Sequence, residues 1–200
     1  MNETLSSLFE QSPVIPVAVI HSLDEVIPML SALEKGGVKS VEITFRTSCA
    51  AEAIALAAKE FPTMAVGAGT VINQAQAKAA VQAGACFIVS PGLSEEVALF
   101  CRKEKIPYLP GCVTPTEIMK ALSLDITVVK FFPADVYGGL SAIKALSAPF
   151  PQVRFMPTGG VDLTNIKSFL AFDKVVAVGG SFLLKGDIAK NCQTLWDSLA

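Results

Sequence analysis

Short apolar runs alternate with longer amphipathic or alanine-rich segments along the whole chain. The runs cover residues 14–20, 40–45, 64–68, 87–89, 108–109, 127–132, 154–156 and 175–178. They are rich in Val, Ile and Phe and are bounded by Gly, Pro or Ser, a pattern that predicts buried strands. The intervening segments predict helices. One spans 23–34, opened by a Ser22/Glu25 capping box and closed by Gly36 and Gly37. The next, over 49–60, is alanine-rich, and the one over 73–83 stops at Gly84. Ser94, with Glu95 and Glu96 in the first turn, opens a fourth. Helices over 116–124, 139–146 and 165–171 follow, then a final one carrying Trp196 and Leu199 as packing residues. A short leading helix is expected over residues 2–11.

Eight strand–helix alternations without a linker or a second composition zone predict an α/β fold, a single (β/α)8 TIM barrel occupying residues 1–200. A doubly wound sheet is the alternative, but it rarely needs eight equal repeats in so little chain. Enzymes of the barrel class act at the carboxyl ends of the strands. Glycines, prolines and polar residues collect at those ends here: Arg46-Thr47, Gly67 to Thr70, Ser90-Pro91-Gly92, Lys130, Thr158-Gly159-Gly160 and Gly179-Gly180-Ser181.

Strand alternation sorts these residues by face. In the second strand Glu42, Thr44 and Arg46 share one face, and Val41, Ile43 and Phe45 share the other. The apolar face must meet the helices, so the polar face points into the barrel. Glu42 and Arg46 could be an internal ion pair, but such a pair is costly to bury and contributes little net stability. A functional reading is stronger: a buried glutamate to move protons and a mouth arginine to hold a carboxylate by two parallel hydrogen bonds. In the sixth strand Val128, Lys130 and Phe132 share a face, and Pro133 should end the ladder. Lys130 has two readings. Its stem can pack on the sheet while the ammonium reaches water, or it can be a desolvated amine able to form a Schiff base with a carbonyl. The stretch alone leaves both open. After the last two strands, Thr158-Gly159-Gly160 and Gly179-Gly180-Ser181 lie where barrels commonly bind phosphate.

Composition removes other classes. Hydrophobic residues are 52% and charged residues 17%, which argues for a filled core. A net charge of -2 with no basic block argues against nucleic acid as a partner. No apolar run approaches the ~18 residues of a membrane span, and residues 1–11 do not read as a signal peptide. The five cysteines lack CxxC spacing and read as reduced thiols, so the expected location is cytoplasmic. The single histidine, His21, is expected on a solvent-facing loop. No zinc-ligand set and no G-x-S-x-G nucleophile elbow is present, so neither a metal nor another cofactor is expected.

Together the pieces describe one chemistry. Arg46, with Thr70 and the seventh-strand loop, would hold the carboxylate of a 2-keto acid, and Lys130 would condense with its keto carbon. Glu42 would take the C4 hydroxyl proton through water and later return a proton to the enamine. Ser181 and its glycines would hold a phosphate at the aldehyde end.

The chain resembles the class I 2-keto-3-deoxy-6-phosphogluconate and 4-hydroxy-2-oxoglutarate aldolase family over nearly its whole length. The segments that carry the resemblance are Gly36 to Thr47, Gly67 to Val71, Ser90 to Leu93, Val129 to Ala134, Gln152 to Gly160 and Gly179-Gly180-Ser181. The resemblance implies Lys130 as the Schiff-base lysine and Glu42 as acid/base. It implies Arg46 and Thr70 on the pyruvate carboxylate, with Pro91, Phe132 and Thr158 lining the pocket. It implies Gly159, Gly160, Gly179, Gly180 and Ser181 near the phosphate, a keto-acid sugar phosphate as substrate, and a homotrimer. The related 2-dehydro-3-deoxy-6-phosphogalactonate aldolases carry Asn-Ser at the position of Arg46-Thr47, which favours the gluconate branch. Asp135, where the family usually has Glu, and Cys112-Val113 depart from the pattern. A non-catalytic sugar-phosphate-binding barrel is the alternative from another class.

Overall fold

The computed structural model describes Phe9 and residues 12–200. Among the described residues, eight parallel strands alternate with eight α-helices. The strands are β1 (Val14–Ala18), β2 (Ser40–Thr44), β3 (Ala65–Gly69), β4 (Phe87–Val89), β5 (Tyr108–Leu109), β6 (Val128–Phe131), β7 (Arg154–Pro157) and β8 (Val178–Gly180). The helices are α1 (Val26–Lys35), α2 (Ala50–Glu60), α3 (Gln74–Gln82), α4 (Glu95–Glu104), α5 (Pro115–Ser123), α6 (Gly139–Ser147), α7 (Ile166–Leu170) and α8 (Ile188–Leu199). Six strands pair in the order β5-β4-β3-β2-β1-β8, and β6 pairs with β7. Single bridges carry the pairing between the two sheets, Gly111 with Lys130 on one side and Thr158 with Gly179 on the other. The strands therefore follow one another around a TIM-barrel-like ring.

The period-two pattern divides the apolar residues into two clusters. Outward positions such as Val41, Ile43, Ile88, Val129, Phe131 and Phe155 pack against the helices. Inward positions Ile15, Phe87, Val89, Leu109, Val128, Met156 and Ala177 pack with one another inside the ring, and Phe9 joins them. The leading helix expected over 2–11 otherwise lies outside the described residues. Among the described residues no helix is long and apolar enough to cross a membrane.

Three local expectations shift. The eighth strand, expected over 175–178, forms its ladder at Val178–Gly180, paired with Val14, Ile15 and Pro16 of β1. Val175 makes only a single bridge to Phe155. The apolar run marked burial, while register with β1 puts the ladder on glycines that carry no strand preference of their own. The chain after Ser22 enters through a 3-10 turn at Leu23–Glu25, so Glu25 accepts from the His21 backbone N–H and the expected box is displaced. A full capping box forms instead at α5, where Thr114 and Glu117 exchange hydrogen bonds and Pro115 takes the first helical position.

Candidate active site

The carboxyl end of β6 places Lys130 inside the ring. Its Nζ donates to Glu42 Oε1 at 3.3 Å and lies 3.5 Å from Oε2. Lys130 is 5% exposed and Glu42 is fully buried, so the ammonium does not reach bulk water. That burial argues against the reading in which the ammonium simply reaches water. Glu42 takes Lys130, not Arg46, as its partner. The Phe132 ring centroid lies 5.2 Å from Nζ, a cation–π distance. The backbone of Lys130 is held from the β5 side, donating to Pro110 O at 2.8 Å and accepting from Cys112 N at 2.9 Å.

Two glycines of β3 make room inside the ring, one of them for the carboxylate. A Cβ at Gly69 would run into the Glu42 carboxyl group, and one at Gly67 into the Phe87 ring. Thr44, two residues along the same face of β2, donates its hydroxyl to Ala18 O at 3.1 Å. Arg46 stands exposed at the mouth, and its Nε donates to Thr70 Oγ1 at 3.2 Å. Thr70 has φ +56°, a left-handed conformation that β-branched residues rarely adopt. Strain of this kind persists where the surroundings over-determine it, typically at functional sites. Here it aims the Thr70 hydroxyl at Arg46.

A cavity of about 350 Å³ opens at the carboxyl ends of β6, β7, β8, β1 and β2. Of the residues singled out in the sequence, Arg46, Lys130, Phe132, Thr158, Gly159, Gly160, Gly180 and Ser181 line it. Glu42 lies behind Lys130. Gly179 is covered by Thr158, since a Cβ there would meet the Thr158 hydroxyl. Thr70 reaches the cavity only through Arg46. Pro91 is exposed on the loop after β4, its carbonyl lying where a Cβ on Gly111 would fall. It flanks Lys130 through Gly111 and does not line the cavity. Thr158 Oγ1 is the one buried side-chain polar atom without a hydrogen-bond partner among the described residues. Such an atom normally has a partner, and this one belongs to a cavity-lining residue.

The far wall is pre-shaped by its own loop. Gly159 and Gly160 have φ +88° and +71°. Asn165 Nδ2 donates to Gly160 O at 2.7 Å, and Asp162 Oδ1 accepts from the Thr164 hydroxyl and the Thr164 and Asn165 amides. Those bonds, the Thr164 hydroxyl first, hold the Asp162 carboxyl below its usual range. Burial pushes the Cys112 thiol up to about 12, with Glu117 adding to the effect, and the protonated thiol donates to Glu117 O at 3.7 Å, on the helix side of the ring.

A family model described as KDPG and KHG aldolase matches residues 5–196. The chain belongs to that family. It is 45% identical over 175 residues to the 2-dehydro-3-deoxy-phosphogluconate aldolase of Dickeya dadantii, covering 88% of this chain and 82% of that one. The 2-keto-3-deoxy-6-phosphogluconate aldolase of Zymomonas mobilis ZM4, solved with 3-phosphoglycerate, superposes with a TM-score of 0.92 at 38% identity, covering 100% of this chain and 96% of that one. The KDPG aldolase of Legionella pneumophila, with pyruvate captured as a covalent carbinolamine intermediate, gives 0.87 at 39% identity, covering 97% and 94%.

For a member of the KDPG and KHG aldolase family, the cavity also contains residues that sequence reading passed over: Val17, Val19, Val161, Asp162, Phe182 and Lys185. Val17 and Val19 follow Ile15 on the inward face of β1, so alternation could have found them. Asp162 and Lys185 sit in the loops after β7 and β8, where no periodicity marks direction.

Proposed function

We propose that the chain is a class I aldolase that cleaves 2-dehydro-3-deoxy-6-phosphogluconate to pyruvate and glyceraldehyde 3-phosphate, and 4-hydroxy-2-oxoglutarate to pyruvate and glyoxylate. The buried Lys130–Glu42 pair beside an open cavity carries this reading. Lys130 passes a proton to Glu42 and attacks the C2 carbonyl as the neutral amine; Glu42 gives the proton to the carbinolamine hydroxyl, which leaves as water and yields an iminium. The iminium accepts the electron pair of the C3–C4 bond as Glu42, acting through water, takes the proton from the C4 hydroxyl. The aldehyde departs. Glu42 returns a proton to C3 of the enamine, and water releases pyruvate from Lys130. Arg46, steadied by Thr70, and the unpartnered Thr158 hydroxyl hold the keto-acid carboxylate. Phe132 walls the reacting end, while Pro91 stays outside the cavity and packs behind Lys130 against Gly111. Gly159, Gly160, Gly180 and Ser181 receive the phosphate, and Gly179 lets Thr158 close over the strand beneath them.

The relatives' descriptions support both halves of the reading, pyruvate bound covalently in one and a three-carbon phosphate in another. No step requires a metal ion, and activity is expected to survive chelator. We further propose that residues 1–200 form one TIM-barrel domain, that the barrel works as a homotrimer, and that it acts in the cytoplasm.

The test is borohydride reduction in the presence of pyruvate, read by intact mass and peptide mapping. One stable pyruvate-derived adduct on Lys130 is expected. A folded sample that forms no adduct, or forms it elsewhere, overturns the assignment.

A further inference from the structure

We propose that Lys185 is the cation that receives the substrate's phosphate and sets the preference for phosphorylated over unphosphorylated substrate. The inference rests on the aldolase reading above and concerns the aldehyde end of the same cavity.

Charge within the cavity requires such a group. The charged residues lining it are Arg46, Lys130, Asp162 and Lys185. Arg46 belongs to the carboxylate end, and Lys130 is committed to Glu42 and then to the substrate carbonyl. Without Lys185 the phosphate end would offer glycine amides, the Ser181 hydroxyl and the Asp162 carboxylate. Asp162 is ionised throughout the neutral range, because the Thr164 hydroxyl and amide stabilise its charge. A phosphate carrying nearly two negative charges would meet a carboxylate there with no opposing cation.

Lys185 is available for this role. Its ammonium makes no ion pair within 4.0 Å among the described residues, yet it lies close enough to favour the charged form of Asp162. Its backbone is held. Asn191 Nδ2, on α8, donates to Lys185 O at 2.7 Å and Leu183 O at 3.1 Å, and Gly186 turns the chain at φ +71°. The 3-10 turn Phe182–Leu184 brings the residues on either side of it, Ser181 and Lys185, to the wall of the same cavity. A fixed backbone with a free ammonium suits a ligand that arrives and leaves, because only the side chain must be ordered on binding.

The experiment measures KM and kcat of wild type, Lys185→Met and Lys185→Arg with both substrates, at low and high salt, with pyruvate trapping on each protein. Lys185→Met should raise KM for the phosphorylated substrate about ten-fold and change 4-hydroxy-2-oxoglutarate less than two-fold. Lys185→Arg should restore most of the loss. The wild-type advantage should shrink at high salt, since an exposed cation is screened. Equal losses on both substrates, or no loss on either, overturn the proposal while normal trapping on Lys130 leaves the aldolase reading standing. Failure to trap pyruvate in wild type brings down both.

Discussion

The two ends of the barrel interior are built from the same strands and do opposite work. Toward the amino ends the inward side chains are Ile15, Phe87, Leu109, Val128 and Met156, a dry cluster that Phe9 completes. Toward the carboxyl ends they are Glu42, Lys130, Thr158 and, at the rim, Arg46. One strand spans both regimes: on β6, Val128 belongs to the apolar cluster and Lys130, two residues on, to the cavity. Below the rim, Glu42, Lys130 and Thr158 are buried as deeply as the apolar cluster, so exposure does not separate the two levels there. What separates them is whether a buried group is satisfied by packing or by a charged partner. The apolar end stabilises the ring, and the polar end uses that rigidity to keep an amine and a carboxylate together out of water.

That contrast breaks most sharply at Lys130. Lys130→Met should lower cleavage by on the order of 10⁴-fold or more, measured as kcat/KM. Methionine leaves Glu42 buried without its partner, so stability should also fall by about 3–5 kcal/mol. Adding Glu42→Gln should recover most of that stability in a denaturant titration without recovering activity, which separates the chemical role from the structural one. At the other end, Ile15→Ala should cost about 2–5 kcal/mol in the same titration, with kcat per folded molecule unchanged. A comparable loss of kcat there would mean that the two ends are not independent.

Gly69→Ala tests the border between them. The added methyl displaces the Glu42 carboxylate, and a shift of about 1 Å should lower kcat about 10²-fold. Ser181→Ala should raise KM about ten-fold for the phosphorylated substrate alone; equal losses with 4-hydroxy-2-oxoglutarate would remove Ser181 from the phosphate end. The smallest effect concerns thiols. Burial pushes Cys101 and Cys112 up to about 12, so both should resist alkylation at pH 8 in the native protein and react on unfolding. Because the native state keeps these protons longer, the associated stability is complete below about pH 9 and declines as pH rises toward 12.

The faces of β2 and β6 were legible because period-two alternation needs no knowledge of the partner strand. Residue order alone points Glu42 and Thr44 into the barrel and puts Lys130 on one face with Val128, and Glu42 and Lys130 do meet inside the ring. The identity of Glu42's partner was not legible, because it depends on a neighbour 88 residues away. The room made by Gly67 and Gly69 was also hidden, since a glycine required by close packing reads like a glycine required by a turn. The eighth strand slipped because its ladder rests on Gly179 and Gly180. Lys185 was missed because a lysine after a glycine-rich strand end reads as ordinary loop surface.

The last helix closes the ring onto the first. The indole N–H of Trp196 on α8 donates to Gly36 O at 2.6 Å, at the end of α1, and Cys192 packs so tightly on Gly36 that a side chain there would collide with it. Trp196 is the chain's single tryptophan. The protein thus carries a native fluorophore at a join between segments far apart in the chain. Its emission during refolding reports the completion of the circle, a contact with a long loop to close, and stays silent while individual strand–helix units form.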